Sequence, residues 1–183
     1  MTKDALEEEI SKTLTKEKVK ILSELAGKSK DSTPSLIEIT FDEKTEIAFR
    51  AAWILEEVAV KYYALFLPNI RLFLQVYPEQ KNHSCQRHYT KILLLLIKRN
   101  ESVILDEYAE SLIETSFEWL IDSETPVAVA VNCFDILFYF NKKNLWIGEE
   151  LAAQIEFLMK DGSAALQSRG KKVLNKIRNT DTV

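Results

Sequence analysis

Apolar residues recur every three or four positions along almost the whole chain, and no stretch shows the strict apolar–polar alternation of a half-buried strand. This spacing predicts amphipathic helices, each with one apolar face turned toward a core. The predicted helices span residues 3–26 with a break near 13–15, then 34–41, 44–60, 62–78, 84–99, 102–121, 126–140, 147–160 and 163–178.

Turn-forming residues fall between these predicted helices. In "DSTP" and "DSETP" a threonine able to cap a helix directly precedes Pro34 and Pro126, and proline is favoured at the first helical position. Gly27, Gly148 and Gly162 stand where helices are expected to end or to join. Because the connections are short, successive helices are expected to run antiparallel, as in a series of helical hairpins.

The helical hairpins recur at a nearly constant interval. When the second helix of each pair is aligned on a central apolar residue, steps of 37, 42 and 40 residues separate Leu55, Ile92, Phe134 and Leu174. Helical pairs with a period near 40 are typical of α-solenoids, in which each pair buries its apolar face against its neighbours. The sequence therefore predicts an all-α fold, a right-handed α-α superhelix of about four helix pairs. We expect a single domain over residues 1–183, made of a helical cap at 1–30, repeats at 33–178 and a disordered tail at 179–183.

Two stretches carry the motif of a known repeat. In residues 35–58 ("SLIEITFDEKTEIAFRAAWILEEV") an apolar first helix is followed by Asp42 in the turn and, five positions later, by Ile47, which opens an alanine-rich second helix. Residues 117–140 ("FEWLIDSETPVAVAVNCFDILFYF") have the same arrangement. The chain from about 33 to 178 thus resembles the HEAT-like (armadillo-type) α-helical repeat family. This resemblance implies a non-catalytic protein-interaction module or scaffold.

The chain departs from the HEAT motif in the placement of arginine. HEAT repeats usually have an arginine directly after the opening apolar residue, but the corresponding positions here hold Ala48, Cys85, Val127 or Ala128, and Gln167. Two positions later, three of the four helix-pair repeats have an arginine: Arg50, Arg87 and Arg169. Recurrence at a structural period favours a brace between helices, and Glu46 lies one turn before Arg50 as a possible partner. The alternative is a row of arginines on the concave surface that binds an acidic peptide or the phosphates of a partner.

A long acidic segment is the second candidate for a contact surface. The residues from Glu101 to Glu124 include eight acids and no base. Four of the acids are spaced four positions apart and form one stripe along the predicted helix: Asp106, Glu110, Glu114 and Glu118. One interpretation is a solvated outer face, and the other is a docking strip for a basic protein partner. A two-metal carboxylate cage is not expected, because such bundles need Glu-x-x-His pairs and the chain has none.

Composition limits the possible partners. The 183 residues are 46% hydrophobic with only 4 Gly and 4 Pro, which favours one helical domain with a large core and no need for a disulfide or metal. Cys85 and Cys133 are expected to be reduced core thiols of a cytosolic protein. The net charge of −4 argues against a general nucleic-acid binder, and no apolar run reaches the roughly 20 residues of a membrane span. We therefore expect protein partners, no membrane partner, and a monomer or weak dimer.

The sequence also lacks a recognisable catalytic site. His83, Cys85 and His88 lie close together in the chain, but no second Cys/His pair at zinc spacing accompanies them, so no metal or cofactor is expected. There is no Gly-x-Ser-x-Gly elbow and no glycine-rich phosphate loop, so no catalytic residue is assigned and the chain is not expected to be an enzyme. One alternative stays open, because DNA alkylation-repair glycosylases share a HEAT-like fold. Their resemblance would give DNA-binding roles to the C-terminal bases and to Trp53, Trp119 and Trp146.

Overall fold

The computed structural model describes residues 2–12 and 15–180, and every regular element in those ranges is a helix. The all-α fold predicted from the apolar spacing is therefore confirmed, while the handedness of the superhelix stays a prediction. No helix in these ranges is both long and apolar enough to cross a membrane. Two compact units divide the chain, residues 1–95 and residues 96–183.

The first unit begins with the predicted helical cap, whose break separates α1 from α2; residues 13 and 14 of that break lie outside the described ranges. The helices of this part of the chain are α1 (Lys3–Ser11), α2 (Lys16–Ala26), α3 (Ser32–Ile39), α4 (Thr45–Lys61), α5 (Tyr63–Phe66), α6 (Ile70–Val76) and α7 (His83–Lys98). Two 3-10 turns, Leu67–Asn69 and Tyr77–Glu79, interrupt the single helix predicted at 62–78. They contain Pro68 and Pro78, and proline cannot donate the N–H that a continuous helix needs.

Helix α4 is the centre of the first unit and packs against α1, α2 and α3. Its buried face is rich in alanine, as the repeat motif predicted: Ala48, Ala51, Ala52, Ile54, Leu55, Val58 and Ala59. Small side chains let the neighbouring helices approach closely, and the larger ones fill the space that remains.

A buried network of hydrogen bonds joins the end of α3 to the start of α7. The Thr40 hydroxyl donates to the carbonyl oxygen of Ile37 at 2.6 Å, and it accepts a bond of 2.7 Å from the Tyr89 hydroxyl. The Gln80 amide donates to the carbonyl oxygen of Thr40 at 3.2 Å, and the Gln86 amide donates to that of Gln80 at 3.0 Å. Because an unpaired polar group in a core is costly, this network favours one placement of α7 on α3.

Up to residue 180, the second unit consists of the end of α7 and five further helices: α8 (Ser102–Glu107), α9 (Ala109–Ile121), α10 (Val127–Asn141), α11 (Leu145–Met159) and α12 (Ala164–Thr180). Helix α10 is its centre and packs against α9, α11 and α12. The helix predicted at 102–121 is divided at Tyr108, which is not in a helical conformation. Helix α12 includes residues 179 and 180 of the predicted tail, and 181–183 lie outside the described residues.

The predicted glycine positions are correct at two sites and wrong at the third. Gly27 ends α2, and Gly162 lies between α11 and α12. Gly148, however, is inside α11. A Cβ atom added there would lie 2.5 Å from Oδ1 of the buried Asn141, so this glycine allows α10 and α11 to pack closely.

The predicted threonine caps are also wrong. Helix α3 begins before Thr33, with Asp31 at its N-cap, and Thr33 is buried within the first turn. Helix α10 begins directly after Pro126, and no side chain caps it. Both helices therefore start without the side-chain hydrogen bond that the sequence suggested.

Candidate functional site

The Arg50 guanidinium closes the C-terminal end of α1. Its Nη1 atom donates to the backbone carbonyl oxygens of Ile10 at 3.0 Å, Ser11 at 3.2 Å and Lys12 at 2.9 Å, and its Nη2 atom pairs with the Glu46 carboxylate. The last carbonyl groups of a helix have no partner within the helix and carry its negative partial charge, so a cation is favourable there. Arg50 thus links α1 to α4 within the first unit.

The other two arginines of the series have different surroundings. Arg169 on α12 donates from Nε to Oδ2 of Asp135 on α10 at 2.8 Å, and its Nη2 atom reaches the same oxygen. Arg87 on α7 is exposed, and among the described residues its side chain has no hydrogen-bond or ion-pair partner. Arg50 and Arg169 therefore join helices as the brace interpretation predicted, and Arg87 does not. A role of any of the three in partner binding stays a prediction.

His88 takes part in a partly buried ionic cluster within the first unit. Its Nδ1 atom lies 2.5 Å from Oε2 of Glu56, and Lys91 donates to the same carboxylate at 2.9 Å. Burial raises the pKa of Glu56, but the hydrogen bonds from His88 and Lys91 outweigh burial and leave the pKa below its ordinary value. One turn before His88, burial raises the pKa of the Cys85 thiol to about 12, so the thiol is protonated at neutral pH. This cluster ties α7 to α4.

The acidic stripe lies on two helices of the second unit. Asp106 is on α8 and forms an ion pair with Lys143. The other three carboxylates are on α9, are exposed, and form no ion pair or side-chain hydrogen bond with any described residue: Glu110, Glu114 and Glu118. Helix α9 contains no basic residue. The α9 part of the stripe therefore presents uncompensated negative charge to solvent.

Two cavities lie along α9 and α11, one near each end of this pair of helices, and we call the surface of the two helices that holds both cavities the groove. The acidic stripe lines one end of it. Both helices pack on α10 and are joined to it by short connections, so they run in the same direction. Near their N-termini the groove has a cavity of about 460 Å³ lined by Asp106, Glu110, Glu114 and Trp146. Trp146 is 56% exposed and stacks on Phe117 at a centroid distance of 6.0 Å. We call this cavity the acidic end of the groove.

Near the C-termini of the same two helices the groove becomes apolar. A cavity of about 620 Å³ there is lined mainly by hydrophobic side chains, including Trp119, Ile121, Val127, Phe157, Leu158 and Leu166. Ile121 is 68% exposed and Phe157 is 66% exposed, which is high for such large apolar side chains. We call this cavity the apolar end of the groove.

The sequence predicted the acidic stripe but not the groove. The sequence pattern predicts no role for Phe157 or Ile121, and it gives Trp146 a role only in the DNA-repair alternative. One signal was present in α11, because "LWIGEELAAQIEFLM" places large apolar residues on more than one face of its helix. A helix that is apolar beyond its core-facing stripe has apolar surface left for another contact.

Comparison with known proteins gives one finding. The family model described as HEAT repeat domain matches residues 6–177, which is nearly the whole chain. The comparisons with curated proteins and with solved structures gave no significant match. The match includes the helical cap as well as the repeats that the sequence motifs suggested.

Proposed function

Because this chain belongs to the HEAT repeat domain family, we propose that it is a non-catalytic protein-interaction module that binds a basic segment of a partner protein. HEAT repeats are helical repeats that commonly serve as interaction scaffolds. The proposed contact surface is the acidic stripe on α8 and α9 of the second unit. The partner would supply lysine or arginine side chains to carboxylates that have no cation of their own.

The observation that supports this proposal is the uncompensated charge of α9. Like charges four positions apart on a helix destabilise it slightly, and Glu110, Glu114 and Glu118 have this spacing. Several glutamates on other helices have a lysine one turn away as an ion-pair partner, as in the Lys28–Glu24 pair at 3.0 Å and the Lys12–Glu8 pair at 3.3 Å. A solvated face has no need for three unpaired carboxylates in a row, whereas a basic partner would be attracted by them.

Charge reversal tests the contact surface directly. A variant with Glu110→Lys, Glu114→Lys and Glu118→Lys should lose the protein partner that the wild-type chain captures from an extract of its source cells. The matched control reverses three exposed acids of the first unit, Asp4, Glu17 and Glu43, and should keep the partner. Quantitative mass spectrometry of the captured protein gives the ratio, and we expect at least a tenfold loss for the stripe variant only.

Two results would contradict the proposal. If both variants capture the partner as well as the wild-type chain does, the stripe is a solvated face. If both lose it equally, the attraction is due to net charge and not to this surface. Because all six side chains are exposed, thermal unfolding followed by circular dichroism should show that each variant is folded.

A further inference from the structure

We infer that the groove between α9 and α11 binds a segment of a partner protein that is basic at one end and apolar at the other. The basic residues of that segment would lie at the acidic end of the groove, and its large apolar residues would lie at the apolar end. This inference rests on the proposed function and adds to it the spacing and the apolar part of the ligand.

The apolar end of the groove exposes large hydrophobic side chains to solvent. Phe157 and Ile121 are exposed on either side of one cavity, and Val127 at its edge is 38% exposed. Exposed apolar residues that cluster around a cavity mark interaction sites more often than single exposed ones do. The charges of the stripe do not account for this cluster, so the partner must also bring apolar side chains.

The acidic end supplies charge and an aromatic face. Glu110 and Glu114 line it without a cation of their own, and the exposed Trp146 stands beside them. A lysine or arginine side chain placed there could pair with a carboxylate and lie against the indole ring. Asp122 lines the apolar end, but its carboxylate already accepts a hydrogen bond from the backbone N–H of Glu124, so charge complementarity favours the acidic end for the basic part of the ligand.

The length of α9 sets the spacing between the two parts. Glu110 and Ile121 are eleven positions apart on one helix, which corresponds to about 16 Å at about 1.5 Å per residue. A helical ligand would span this distance with about eleven residues, and an extended ligand would span it with about five.

Helices of this chain with exposed basic or apolar residues lack the pattern that the groove requires, which is basic residues at one end and large apolar residues at the other. The exposed positions of α12 include Lys171, Lys172 and Lys176 but no large apolar residue. Helix α2 has exposed Ile21 and Leu25, but its exposed Lys16 and Lys20 lie beside Ile21 and alternate with Glu17 and Glu24, so its basic and apolar parts are not separated as the two ends of the groove are. A partner protein therefore fits the groove better than a second copy of this chain does.

Synthetic peptides test the two-part character and the spacing of the ligand. Two 18-residue helix-forming peptides, one in each chain direction, carry three lysines at one end and a Leu–Phe pair about eleven residues away. A third peptide carries only the lysines. Fluorescence anisotropy with labelled peptides should show that at least one of the two-part peptides binds at least tenfold more tightly than the lysine-only peptide.

Variants of the protein assign the effect to the groove. Phe157→Ser should weaken the tight peptide about tenfold, to the level of the lysine-only peptide, and leave that second peptide unaffected. The matched control is Val103→Ser, at a residue that is 74% exposed and lines neither cavity; it should change nothing. The pair Glu110→Lys and Glu114→Lys should weaken every peptide.

The possible failures are distinguishable. If the two-part peptides bind no better than the lysine-only peptide, and the glutamate variants weaken all of them, the inference is wrong and the proposed function stands. If the glutamate variants have no effect on any peptide, both are wrong. If sedimentation shows a dimer that Phe157→Ser dissociates, the groove is covered by a second copy and the inference is wrong.

Discussion

At the scale of single residues, Arg50 shows how one side chain can close a helix end. The guanidinium of Arg50 divides its donors: the two N–H groups of Nη1 are shared among three backbone carbonyl oxygens, and Nη2 bonds the Glu46 carboxylate. Its side chain is only 15% exposed, which limits the access of water to the same carbonyl groups. The residue therefore links the helical cap to α4 through groups that have few other partners.

Replacement of Arg50 should destabilise the first unit measurably. Arg50→Gln removes the cation from the end of α1 together with its hydrogen bonds to three carbonyl groups, which should lower the free energy of unfolding by about 1–3 kcal/mol. Arg87→Gln is the matched control, since that side chain is exposed and makes no hydrogen bond or ion pair with the described residues; it should change stability by less than about 0.5 kcal/mol. Urea denaturation followed by circular dichroism gives both values, and equal values would show that the hydrogen bonds to α1 add nothing.

The recurrence of arginine could be predicted from the sequence, but the partners could not. The spacing of the helix-pair repeats alone identifies three arginines at equivalent repeat positions: Arg50, Arg87 and Arg169. Their surroundings depend on what lies opposite: the end of α1 for Arg50 and a carboxylate on α10 for Arg169. A periodic pattern predicts the position of a side chain on its helix. The groups that the side chain contacts can lie about 40 positions away in the chain, and the period does not identify them.

At the scale of elements, α10 and α11 approach closely because of one glycine. Asn141 on α10 is 1% exposed, and both polar atoms of its amide lack a hydrogen-bond partner among the described residues. It lies against Gly148 of α11, where any Cβ would meet its side chain at 2.5–3.0 Å. Glycine normally weakens a helix, so its presence here is explained by packing.

Gly148→Ala should therefore destabilise the second unit although alanine is the better helix former. The added methyl group has no free space, and we expect a loss of about 1–3 kcal/mol in the free energy of unfolding. The double variant Asn141→Ala with Gly148→Ala removes both the clash and the unpaired amide, and should be more stable than Gly148→Ala alone. A double-mutant cycle from urea denaturation measures the coupling, and additive effects would show that the two residues do not touch each other.

The element boundaries show which features the sequence determines locally. Most helix positions were predicted to within two or three residues, because the apolar period and the short connections are properties of neighbouring positions. The division of the helix at Tyr108 was missed because no proline or glycine marks it. Gly148 was misplaced because its role depends on Asn141 across a helix interface. The groove was missed for the same reason, since the two helices that line it are separated in the chain by the whole of α10.

At the scale of the whole molecule, charge is separated between helices and does not balance locally. The net charge is −4, yet α12 has bases and no acid, while α9 has acids and no base. The exposed lysines of α12 are the feature that would favour the DNA-binding alternative. The acidic stripe in the same unit, however, would repel the phosphates of a duplex, and several phosphate contacts are needed for useful affinity.

We expect no specific binding to duplex DNA. Fluorescence anisotropy of a labelled 20-base-pair duplex should stay flat at micromolar protein and 150 mM salt, and any binding at 25 mM salt should be weak, because few bases can reach the phosphates at once. The variant Lys171→Gln, Lys172→Gln and Lys176→Gln identifies the source of any signal, because it removes exposed bases of α12 and leaves the stripe intact. Tight binding that depends less on salt in this variant would favour the DNA-binding alternative. The slope of log affinity against log salt concentration decreases in magnitude by about one for each lysine that no longer neutralises a phosphate. A flat response together with selective loss of a protein partner in the stripe variant would leave the acidic stripe as the surface through which this chain acts.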